Sequence, residues 1–129
     1  MADPRGAGRW WVYQRERFPV VAHGALIAAF SASAVGFTAL LRGLEPAPAW
    51  PAFAVAFVNS FLSFLQLRIA DEFKDIEEDT RYRPYRAVPR GLVTLRELGW
   101  VGAGTAVIQA VLAAMWAPRL LGLLLLNWT

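Results

Sequence analysis

The sequence has no cysteine and only one histidine among its 129 residues. The first absence excludes a disulfide scaffold, a thiolate metal site and a cysteine nucleophile. The second excludes a multi-histidine metal centre and leaves His23 reading as a packed or interfacial residue of an apolar helix. Several catalytic signatures are also missing. There is no glycine-rich phosphate loop, no G-x-S-x-G elbow and no H-E-x-x-H pair. Asp71-x-Phe73-x-Asp75 lacks the glycine and distal glutamate of a calcium loop. Acids are scarce outside one place: six of the ten lie between Asp71 and Asp79. Any chemistry here must come from carboxylates, arginines and apolar surface.

What is abundant is hydrophobic residue, at 57%. It comes in blocks long enough to cross a bilayer, which needs roughly 20 apolar residues per helix. Residues 1–18 form a basic arm with an aromatic patch at Trp10, Trp11 and Tyr13, suited to a membrane–water boundary. The first span is expected at 19–41. Its apolar length exceeds a signal-peptide core, so it reads as a retained helix. Pro46 and Pro48 punctuate the connector that follows. The second span is expected at 51–70, and its helix should continue into the acidic stretch, because no glycine or proline intervenes. Residues 71–97 make the acidic helix end and a basic loop. Thr94 and Glu97 have capping-box spacing, and the third span is expected at 98–117. Residues 119–129 supply a partial fourth span. The fold class expected is thus an all-α, polytopic transmembrane bundle of three full spans and part of a fourth.

Lys and Arg set the orientation of such a chain. The N-terminal arm carries four and the segment Arg68–Arg96 carries seven, against Arg42 and Arg119 on the other side. This predicts an inner (plasma) membrane protein with its N-terminus and acidic loop in the cytoplasm. Membrane attachment makes nucleic acid a remote partner for the basic loop.

Within that loop charge is segregated. Residues 71–79 sum to −5 and residues 80–96 to +5. On a helix at about 100° per residue, Asp71, Glu72, Asp75 and Asp79 fall within roughly 100° of each other. Such a face suits Mg²⁺, which takes one or two carboxylates and keeps sites for water and phosphate oxygens. Arg68, Arg83, Arg86 and Arg90 could then meet a diphosphate, because a planar guanidinium matches its oxygens. The alternative is that the arginines only neutralise the acids and hold the loop. Arg68 is also spaced to pair with Asp71 or Glu72. Phe57, Phe61 and Phe64 precede these residues on the same strip, so an apolar tail could lie inside the membrane below a charged head. They could equally pack against neighbouring helices.

These residues resemble the UbiA-type intramembrane prenyltransferases. Asp71-Glu72-Phe-Lys-Asp75-Ile-Glu-Glu-Asp79 resembles that family's first aspartate-rich motif, N-D-x-x-D-x-x-x-D, with Asp71 for the Asn and Glu72 for the first Asp. Arg86-Ala87-Val88-Pro89-Arg90-Gly91 resembles its R-P-x-P-x-G loop, with Ala87 for a Pro. The resemblance implies Mg²⁺-dependent transfer of a prenyl group from an isoprenyl diphosphate to an acceptor, often aromatic. It implies Asp75 and Asp79 as the main metal ligands, with Asp71 and Glu72 supporting them.

The resemblance covers about the first four of the nine helices usual in that family, and a second aspartate-rich motif is absent from the sequence. The expectation is therefore an N-terminal portion carrying half of the site, inactive alone and completed by a missing C-terminal half or a partner subunit. The alternative is a non-catalytic small membrane protein that binds lipid diphosphate or joins another membrane subunit.

Overall fold

Pro19 divides the N-terminal third of the chain into two helices. It lacks an N–H and biases the residue before it away from helical geometry. Phe18 accordingly leaves the helix at φ −148°, ψ 72°. α1 (Gly8–Arg17) ends there and α2 (Val20–Leu41) begins. Gln14 bridges the break: its side-chain oxygen accepts from the Val20 N–H at 3.0 Å, occupying one of the donors a helix start leaves open. The structure, a computed structural model, describes residues 6–43 and 50–116. The expected partial span at 119–129 and the prolines of the 44–49 connector lie outside the described residues.

α3 (Trp50–Tyr82) and α4 (Leu95–Trp116) complete an all-helical chain, with no strand among the described residues. α2, α3 and α4 are each long and apolar enough to cross a membrane. At 1.5 Å per residue, α2 and α4 reach about 33 Å and α3 about 50 Å, against a hydrocarbon core of about 30 Å. The excess of α3 carries the acidic motif: the helix runs unbroken from apolar residues through Asp79 and stops at Tyr82.

α3 is the middle element, with α2 packed on one side and α4 on the other. Polar side chains join α3 to α4. Gln109, fully buried, donates through Nε2 to the Asn59 carbonyl at 2.9 Å and the Ser63 hydroxyl at 2.8 Å. Gln66 Nε2 donates to Gln109 Oε1 at 2.8 Å and to the Thr105 hydroxyl at 3.1 Å. Such groups have few alternatives in hydrocarbon, so they act as interhelical ties. Ile69 and Phe73 pack toward Gly102 and Gly99 of α4, where an added Cβ would meet them at ordinary van der Waals distance.

The buried apolar cluster sits at the charged end of the bundle rather than along the spans. Tyr13 of α1, Ile69 of α3, Ala87, Val88 and Val93 of the loop, and Leu98 of α4 form it. The α3–α4 loop folds back onto this cluster at Gly91. Its φ of +82° is a conformation that residues with a Cβ rarely adopt, and it returns Leu92 to donate to the Ala87 carbonyl at 2.9 Å. The Thr94–Glu97 capping box then starts α4, with reciprocal bonds of 2.9 and 3.1 Å.

Candidate functional site

The carboxylates of α3 spread around the helix and meet different partners. Glu72 is buried, 1% exposed, and faces α1. Arg17 donates to it through Nε at 2.5 Å. Tyr13 lies beside the same pair, its buried hydroxyl near the Glu72 carboxylate but outside good hydrogen-bond geometry. Burial, then the Glu72 charge, pushes that hydroxyl well above its ordinary pKa.

Asp79, also 1% exposed, is gripped from the loop. Arg86 Nη1 bridges its two oxygens at 2.9 and 2.8 Å, and Arg83 Nη1 reaches Oδ1 at 3.1 Å. This contact lies past the apolar stretch of α3. Burial would raise the Asp79 carboxyl, but hydrogen bonds from Arg86 and Arg83 outweigh it and hold the group below the usual carboxylate range. The same contact raises Arg86.

Asp71 remains half exposed, with Arg68 Nη1 at 3.7 Å, three residues back. Asp75 is partly exposed, and among the described residues no ion pair or hydrogen bond engages it. Glu77 is exposed. The acidic face drawn from helical phase thus divides into two kinds of group. Glu72 and Asp79 are neutralised by fixed guanidiniums. Asp71 and Asp75, one turn apart, stay open to solvent.

The four candidate arginines do not converge. Arg83 and Arg86 meet at Asp79. Arg90 turns to α1, with Nη1 and Nη2 on the two oxygens of Glu16 at 2.9 and 3.0 Å. Arg68 points to a cavity between α2 and α3. The phenylalanines also part. Phe57 and Phe61 stack with ring centroids 5.8 Å apart, and Phe61 meets Phe18 edge-on at 5.3 Å. Phe64 lines the cavity.

No three histidine or acidic side chains among the described residues stand close enough to hold a metal by themselves. The donor set still suits a shared Mg²⁺. One or two carboxylates are its usual protein share, with phosphate and water supplying the rest, and Asp71 and Asp75 provide two open ones.

Sequence reasoning missed α1. Read as a basic arm with an aromatic patch, it is a helix held by three ion pairs: Arg9–Glu97 at 2.7 Å, Arg17–Glu72 and Glu16–Arg90. A signal was present. Trp10, Tyr13 and Arg17 recur at three and four residues, one face of a helix. Compared with family models, curated proteins and solved structures, the chain matches none.

Proposed function

We propose that this chain carries the first half of a Mg²⁺-diphosphate site in a UbiA-type prenyltransferase, oriented with α1 and the α3–α4 loop in the cytoplasm. The observation that carries the reading is the state of Asp75. It is an unpaired carboxylate on the part of α3 that outlasts the membrane, one turn from Asp71 on one side and from the arginine-bound Asp79 on the other. A carboxylate left open beside an arginine-bound one suits a charge that arrives with a ligand.

In this reading Asp75 and Asp71 hold Mg²⁺ on the chain's behalf. When bound, the metal would neutralise charge building on a departing diphosphate. Arg83 and Arg86 fix Asp79, one turn from Asp75, while presenting positive charge to phosphate oxygens. Arg90 is committed to Glu16, whereas Arg68 lies 3.7 Å from Asp71 at the edge of the α2–α3 cavity. Glu72 supports the site by anchoring α1. The acceptor would be a second substrate, and the full site needs further metal ligands beyond Asp71 and Asp75.

The alternative, a non-catalytic protein that binds lipid diphosphate or another membrane subunit, draws support from the saturation of Glu72 and Asp79 by arginine. The same measurement addresses both. The protein in nanodiscs is titrated with a non-hydrolysable farnesyl diphosphate analogue, with and without Mg²⁺. The proposal expects binding that needs Mg²⁺, is lost in Asp75→Asn and survives in Glu77→Gln, with no turnover by the chain alone. Metal-independent binding would favour the alternative. Equal loss in the two variants would remove the assignment of Asp75.

A further inference from the structure

Docking of α1 divides its aromatic patch. Tyr13 is buried and Trp10 packs against the buried cluster, but Trp11 turns outward and is 64% exposed. Arg15, one turn on, is exposed as well, and among the described residues no ion pair or hydrogen bond engages it. At about 100° per residue, Trp11 and Arg15 lie roughly 40° apart, on the flank opposite Tyr13 and Arg17.

Contacts on the two remaining sides of α1 orient that flank. Glu16 reaches Arg90, in the loop beyond the spans. Gln14, on the side away from Glu16, accepts from the Val20 N–H, where the first apolar helix begins. Trp11 lies roughly 60° from Gln14 and roughly 140° from Glu16, so it leans to the span side, with Arg15 nearer the loop. Both ends of α1 are tied where the spans give way to charge. Arg17 holds Glu72, four residues past Arg68, and Arg9 holds Glu97, in the first turn of α4. α1 therefore lies across the end of the bundle at the membrane edge. α4 repeats the pairing of Trp with Arg there: Arg96 is exposed and unpaired among the described residues, and Trp100, one turn deeper, is 70% exposed.

An indole is favoured among lipid headgroups, and a cation beside an apolar contact is the pattern of a helix lying in the interface. The acid of α1, Glu16, is taken by Arg90 and leaves Arg15 uncompensated. Free positive charge at that level selects lipids with a net negative head over zwitterionic ones.

We propose that the outer flank of α1 docks on the anionic phospholipid surface of the bilayer, with the Trp11 indole among the headgroups and the Arg15 guanidinium on a lipid phosphate. This docking rests on the membrane spans and not on the Mg²⁺-diphosphate reading, because neither residue belongs to that site.

The test uses the full chain in nanodiscs. Because the sequence has no cysteine, one nitroxide can be placed by Gly8→Cys, on the same exposed side of α1, and in a second protein by Thr80→Cys, exposed near the far end of α3. Oxygen, which concentrates in lipid, should relax the label at position 8 more than a water-soluble nickel chelate does. The order should reverse at position 80. Trp11→Ser should shift the label at position 8 toward water. Native mass spectrometry of protein released from mixed nanodiscs then compares phosphatidylglycerol with phosphatidylcholine in the species that keeps one lipid. Phosphatidylglycerol should predominate, and Arg15→Gln should cut its preference about five-fold, the weight of one cation near a charged surface. Arg81→Gln should not. It is exposed, but it lies thirteen residues past Arg68, roughly 20 Å further along α3 and beyond a Debye length of about 10 Å. None of these substitutions touches the ion pairs that hold α1, and trypsin cleavage at Arg9 reports whether α1 stays docked.

A label at position 8 as open to the chelate as the one at position 80 overturns the proposal and gives the flank to solvent or a soluble partner. An Arg15→Gln effect no larger than that of Arg81→Gln also overturns it, because general surface charge would then explain the preference. So does a label that Trp11→Ser leaves in place. Loss of Mg²⁺-dependent diphosphate binding in Asp75→Asn with both lipid readouts intact supports two independent surfaces. Absence of that diphosphate binding in the parent protein would remove the enzyme reading and leave the docking standing.

Discussion

Arg17 and Glu72 form a buried ion pair between α1 and α3 across 55 residues, with Nε 2.5 Å from Oε1. Their side chains are only 11% and 1% exposed, so solvent screens the pair weakly. Removing one member of such a pair leaves an uncompensated buried charge and costs about 3–5 kcal/mol, whereas replacing both by apolar groups is often near neutral. Arg17→Met should therefore destabilise the protein and free α1. The double variant Arg17→Met/Glu72→Met should recover much of the loss. Detergent unfolding, with limited trypsin cleavage at Arg9 and Arg15 to report α1 release, checks this. A double variant as unstable as the single one would contradict the pairing.

Tyr13 gives a pH dependence of defined sign. Its folded pKa is raised by burial and then by Glu72. Folding therefore favours the protonated hydroxyl. The associated stability is complete below the unfolded value of about 10 and falls as pH rises above it. α1 should loosen in that alkaline window, and Tyr13→Phe should flatten the trend. Because the hydroxyl makes at most a weak contact with Glu72, this variant should stay within about 1 kcal/mol of the parent at pH 7. Thermal unfolding between pH 8 and pH 11 measures both effects.

Asp79 and Asp75 should separate structure from function. Asp79→Asn strips the charge facing Arg83 and Arg86 and should cost about 2–4 kcal/mol. That is at or below the range for breaking a buried pair, because both arginines remain partly in water. Asp75→Asn touches no ion pair and should leave unfolding unchanged within about 0.5 kcal/mol. Its effect should appear in Mg²⁺-dependent ligand binding. Comparable destabilisation by both variants would show that Asp75 has a structural role like that of Asp79.

Gln109 should be the most sensitive polar position in the spans. Gln109→Leu keeps approximate volume but removes bonds to the Asn59 carbonyl, Ser63 and Gln66. Interhelical bonds of this kind contribute about 0.6–2 kcal/mol each, so the loss of three is expected to cost about 2–6 kcal/mol. Gln109→Glu, which adds a charge to a fully buried site, should be worse. Equilibrium unfolding in mixed micelles gives both numbers, and a neutral Gln109→Leu would show that apolar packing alone joins α3 to α4.

The sequence by itself determined the elements. Apolar run length set the three long helices, and the absence of glycine and proline between Phe57 and Asp79 carried α3 on through the acidic stretch. Pro19 divided α1 from α2, and Thr94 with Glu97 started α4. All of these are local effects, acting within one or two helical turns. Tertiary structure alone decided which charges meet. Arg17 found Glu72 across 55 positions, and Arg90 found Glu16 across 74. Helical phase put Asp71, Glu72, Asp75 and Asp79 on one broad face. It could not divide that face between α1, the loop, the α2 side and solvent, because the division depends on where α1 docks. Ion pairs have little sequence grammar beyond i+3 and i+4. Distant partners are selected by burial, where an unpaired charge costs most, and burial is a property of the assembled helices.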